Sequence, residues 1–145
     1  MDNIEIKTPW WFWVVSGVML LWNLMGVGAY IADVSMSYEK MVETYGQSMA
    51  DAAAAQPAFV TGAYALAVFG GALGCLLLLL RKKIAIWPLI ISLVCVLIQQ
   101  GYTRFATDIM SEIDMANKVM YVMIVVLAIF LVWFARAMTA REILR

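Results

Sequence analysis

Few side chains in this sequence can do chemistry, and most of those lie inside apolar runs. Asn23 sits in residues 20–26 (LLWNLMG), Gln99 and Gln100 close another run, and Tyr64 belongs to a third. A carboxamide in an apolar medium needs a partner, because its donors and acceptor are otherwise left bare. Amides and phenols donate and accept without carrying charge. A set of them suits either hydrogen bonds between helices or capture of a neutral, hydroxyl-rich solute. Arg104 precedes Asp108 by one helical turn, the spacing of a pair at the rim of such a layer.

Other chemistry is poorly served. The chain has no histidine, which removes the commonest general base and metal ligand, and its 2 cysteines, Cys75 and Cys95, lie deep in apolar runs. No nucleophile–base pair can be assembled, so a non-enzymatic protein without a cofactor is expected. The 11 methionines are scattered rather than clustered, as adaptable packing residues are. No carboxylate occupies the middle of an apolar run, which disfavours a proton antiporter built on a buried acid.

The elements that must position these groups are membrane helices. Of 145 residues, 65% are hydrophobic and 14% charged, where a soluble domain has about 45–50% and about 25%. The excess falls in four blocks, residues 9–31, 57–80, 84–106 and 115–138. Each exceeds the roughly 20 residues a helix needs to cross about 30 Å of hydrocarbon. Unbroken apolar runs without period-two alternation exclude a barrel. The expected fold is an all-α, four-helix transmembrane bundle forming a single domain over 1–145. The first block is expected to be retained, since its leader carries Asp2 and Glu5 against Lys7 and its apolar run is too long for a signal peptide.

Charge placement orients the bundle. Lys7, Arg81, Lys82, Lys83, Arg136, Arg141 and Arg145 collect on one side, against Lys40, Arg104 and Lys118 on the other. Basic residues favour the cytoplasmic side of short loops, so both termini are expected in the cytoplasm of a bacterial cell, in its inner membrane. The basic residues sit where insertion requires them and do not suggest a nucleic-acid partner; lipid is the expected surrounding. Between Ser37 and Gln56, apolar residues recur at helical spacing, which predicts a short amphipathic helix in the first periplasmic loop, weakened at Gly46.

In the second block, Ala63, Ala67, Gly71 and Cys75 form one small-residue stripe, and Gly62, Leu66, Gly70 and Gly74 the next. Association in lipid depends on close packing, so this helix is expected at the centre, with Gly70, Gly71 and Gly74 as its contacts. Asn23 stands 14 residues from Pro9 and Gln99 15 from Ile84, which puts both at a rise of about 21–22 Å. Asn23, Tyr64, Gln99 and Gln100 are therefore expected to share one layer in the outward half.

The chain resembles a family of small, four-helix bacterial inner-membrane proteins, some of which carry the label "sugar transporter". The resemblance rests on Thr8-Pro9-Trp10 with Val14-Val15, on Leu21-Trp22-Asn23 with Met25-Gly26, and on Ala67-Val68 with Gly70-Gly71 and Gly74. It continues through residues 77–80 into Arg81-Lys82-Lys83, Ser92-Leu93 and Ala135-Arg136-Ala137. Members of that family often carry an acid soon after the Met-Gly pair; here residues 27–29 are apolar and the next acid is Asp33. Two functions stay open. The polar layer fits binding or transport of a small neutral, sugar-like solute. A glycine face turned outward would instead fit an accessory or assembly subunit of a larger membrane complex, or a homo-oligomer.

Overall fold

The computed structural model describes residues 7–106, 111 and 115–145, and all the regular structure among them is helical. Helix α1 spans Trp10–Ser35. Pro9 occupies its N-cap position in extended conformation, and no side chain caps the helix. α1 also runs one turn beyond residue 31, and that turn carries Asp33.

The amphipathic segment forms two helices rather than one, α2 (Tyr38–Tyr45) and α3 (Gln47–Ala55). Ser37 caps α2, its hydroxyl accepting from the Lys40 N–H at 3.2 Å. The break lies at Gly46, whose φ of +92° lies in a region that residues with a β-carbon avoid. The Tyr38 hydroxyl donates to the Asp51 carboxylate and ties α2 to α3.

α4 (Ala58–Leu79), α5 (Ile86–Ala106, preceded by a 3-10 turn at Lys83–Ala85) and α6 (Met115–Ala140) complete the chain. With α1 they are the four helices long and apolar enough to cross a membrane. α4 lies between α1 and α5, and α6 packs on α5. Residues Val60, Ala63, Ala67, Gly71, Gly74, Cys75 and Leu78 form its buried face, following the period of the helix. Small residues there let neighbouring backbones approach, which is the main source of helix association in lipid.

α4 and α6 end alike. Arg81 and Glu142 take left-handed φ values of 56° and 59°. Lys82 N–H bonds to Leu77 O at 2.9 Å and Arg81 N–H to Leu78 O at 2.9 Å; Ile143 N–H bonds to Met138 O at 3.0 Å and Glu142 N–H to Thr139 O at 3.0 Å. Both are Schellman motifs built without glycine. The segments that follow pair with one another, Lys83 N–H to Arg145 O at 2.9 Å and Arg145 N–H to Arg81 O at 2.7 Å. Arg81 Nε adds a bond to Ile143 O at 3.0 Å. Ile143 and Leu144, 3% and 1% exposed, thereby enter the larger core with Phe12, Leu78, Leu89, Phe134 and Met138. At this basic end α1 and α6 meet through the Phe12 and Phe134 rings, stacked at 5.8 Å. A smaller core of Ala63, Ala67, Cys95, Val96 and Ala128 joins α4, α5 and α6.

Candidate functional site

One face of α1 meets α4 in an ordered series. Met19, Asn23, Gly26, Tyr30 and Asp33 follow at steps of four, three, four and three, the spacing of a single helical stripe. Asn23 lies against Gly71 and Cys75, Gly26 against Val68, and Tyr30 and Asp33 against Tyr64. The register is antiparallel.

Asn23 is satisfied inside the bundle. Its Nδ2 donates to Met19 O at 2.8 Å, one turn back on α1, and to Cys75 Sγ at 3.4 Å on α4. Its Oδ1 lies well inside contact distance of the point where a β-carbon on residue 71 would sit. Beside it, the Ser92 hydroxyl of α5 donates to Ala67 O at 2.6 Å. Gly70 lies close to Pro88 O, and Gly74 receives the Leu89 side chain. The glycine face of α4 therefore points into the bundle and is filled.

The four residues of the expected layer are not brought together. Tyr64 pairs with the loop end of α1, where its hydroxyl donates to Asp33 Oδ2 at 3.4 Å. Gln99 and Gln100 are half-buried on α5, and neither hydrogen-bonds Asn23 or Tyr64. The physical reason is depth: Asn23 stands level with Gly71 and Cys75, whereas Tyr64 lies seven residues nearer the loop end, about 10 Å of rise. Gln99 likewise lies seven residues beyond Ser92, the α5 residue that approaches Gly71. Arg104 is exposed near the end of α5, while Asp108 lies outside the described residues.

What does converge is a carboxylate among phenols at the loop end of the bundle. Asp33 Oδ1 accepts from the Tyr45 hydroxyl of α2 at 3.2 Å, and its other oxygen from Tyr64 of α4. The Tyr30 ring makes T-shaped contacts with Tyr64 at 5.1 Å and Phe69 at 5.9 Å. Three helices, α1, α2 and α4, thus contribute to one half-buried carboxylate. The Asp33 charge beside Tyr45 raises that phenol's pKa above its ordinary value, with burial and their hydrogen bond adding to it. All ten basic residues of the chain are among those described, and none forms an ion pair with Asp33.

Sequence reasoning noted Asp33 only as the next acid after the Met-Gly pair and left Tyr45 within the amphipathic loop segment. The signal was present in the stripe through Asn23, Gly26 and Tyr30, which reaches Asp33 if α1 is continued by one turn. No family model, curated protein or solved structure matches the chain. The functional reading rests on this geometry.

Proposed function

We propose that this chain is a non-enzymatic, multi-pass protein of a bacterial inner membrane that binds, and in that membrane transports, a small polar solute at the Asp33 cluster. The observation that carries the proposal is a carboxylate held between phenols from two other helices, at one end of a membrane bundle and under a short surface helix. Ligand sites between helices of a bundle are built from a few convergent polar groups on an apolar frame. The basic bias supports cytoplasmic termini with the cluster on the periplasmic side, in line with the resemblance to small inner-membrane proteins. A sugar-like polyol finds acceptors in the Asp33 carboxylate and the phenol oxygens, and apolar surface in the tyrosine rings. Docking of a partner through the glycine face is disfavoured, because Asn23 and Leu89 already fill it.

The test is thermal unfolding of the full chain in mild detergent with a panel of sugars, polyols and amine-bearing solutes. At least one solute raises the melting temperature of the wild type and not that of Asp33→Asn, because a ligand stabilises only the state that binds it. No shift with any solute, or equal shifts in both proteins, contradicts the proposal.

A further inference from the structure

The Asp33 cluster also carries information about the charge of its ligand. A carboxylate withdrawn from water at a membrane rim is costly unless something positive shares its environment. Here Asp33 is half-buried, and its charge is met by two phenol hydrogens, at donor–acceptor distances of 3.2 and 3.4 Å, with no lysine or arginine in an ion pair. Both phenols are neutral donors, so the site keeps a net negative charge.

The groups around that charge indicate which kind of cation suits it. Hard metal ions need several oxygen ligands arranged around them, and no group of three or more His, Cys, Asp or Glu that could hold a metal occurs among the described residues. What meets Asp33 instead is aromatic: Tyr45 and Tyr64 on its two oxygens, and the Tyr30 ring set against Tyr64 and Phe69. Ring faces attract ammonium groups through their quadrupole, and more strongly where water is partly excluded. A single carboxylate ringed by tyrosines is the chemistry that recognises an alkylammonium head.

We infer that the solute bound at Asp33 is a small organic ammonium ion, held by the carboxylate with the rings of Tyr45, Tyr64 and Tyr30 beside it. This inference rests on the proposed solute-binding function and narrows it from polar solutes in general to cations. A ligand that brings its own positive charge completes the site without displacing the phenol bonds. A neutral polyol leaves the carboxylate charge uncompensated.

The experiment uses the purified full chain in detergent and three probes: choline, its neutral carbon isostere 3,3-dimethylbutan-1-ol, and myo-inositol. Binding is read by calorimetric titration and by melting-temperature shift. The expected result is that choline binds the wild type at least about tenfold more tightly than the isostere, and that sodium chloride at matched ionic strength does not reproduce its effect. Asp33→Glu keeps the choline shift and Asp33→Asn loses it. Since the isostere comparison is made on the wild type, it stands even if Asp33→Asn fails to fold. Equal binding of choline and the isostere overturns the inference. Stabilisation by myo-inositol without any by choline overturns it too, while leaving the solute-binding function intact. No binding of any probe in this set, with none in the wider solute panel, overturns both.

Discussion

The Asn23 side-chain oxygen fills the space that a β-carbon on Gly71 would need, so the amide of α1 and the glycine of α4 are fitted to each other. The opposite edge of the same amide is bonded to Met19 O and Cys75 Sγ. The Met19 bond lies within α1, while the Cys75 bond crosses to α4, and a polar contact between helices contributes about 0.6–2 kcal/mol. The larger effect here is on register, since this contact sets which residues of α1 stand opposite Tyr64.

Glycine substitutions along α4 should therefore differ sharply. Gly71→Ala should cost about 1–3 kcal/mol through overpacking. At Gly62 no atom lies within 4 Å of the point a β-carbon would take, so Gly62→Ala should gain about 0.5–1 kcal/mol. Unfolding in mixed micelles checks both. Equal effects at the two positions would remove Gly71 from the packing centre.

A rescue experiment separates steric fit from general fragility. Asn23→Ala alone loses the bonds to Met19 and Cys75, and Gly71→Ala alone meets the amide. In the double variant the amide is gone and the new methyl has room, so the loss should be smaller than the sum of the single losses, with a coupling of about 0.5–3 kcal/mol. Strict additivity would show that the two residues do not share this space.

The four spans were legible in the sequence because lipid imposes a length and an apolar content that few other settings require. The centrality of α4 was legible too, since Gly70, Gly71 and Gly74 have no better use than close approach. The partner of Asn23 was not. Counting rise from the first residue of each apolar block assumes that the blocks start level, and the register of α1 on α4 sets Asn23 opposite Gly71 and Cys75 rather than Tyr64. Asp33 was missed for a related reason: hydropathy ends α1 near residue 31, whereas the backbone continues to Ser35 because Asp33 finds phenol donors there. Gly46 was seen as a weak point, and the structure turns it into a break with a positive φ.

The ends of α4 and α6 offer a stabilising change. Glu142 adopts φ 59° at the C-terminal cap of α6, where a β-carbon costs about 1–2 kcal/mol and glycine does not. Glu142→Gly should raise stability by about 1 kcal/mol. Arg81→Gly should gain less, because it also loses the Nε bond to Ile143 O. A destabilised Glu142→Gly would mean that the Glu142 side chain holds the turn in another way.

The Tyr45 phenol should titrate above its ordinary value, chiefly because the Asp33 charge opposes a second negative charge beside it. A group whose pKa is higher in the folded state binds its proton more tightly there. Its contribution to stability is complete below the unfolded tyrosine value of about 10, and is lost as pH rises through the folded value. Phenolate absorbance, taken as the difference between wild type and Tyr45→Phe, follows this ionisation. Asp33→Asn should shift it back toward lower pH; an unchanged curve would place Tyr45 outside the cluster.

The central claim, a solute site at the periplasmic end of the bundle, is tested most directly by where Asp33 can be reached. In a background carrying Cys75→Ala and Cys95→Ala, single cysteines are placed by Asp33→Cys and by Lys82→Cys, and intact spheroplasts are treated with a membrane-impermeant maleimide. The account predicts that position 33 is labelled from outside and position 82 only after the membrane is opened. Labelling at 82 in intact spheroplasts, with none at 33, would contradict it.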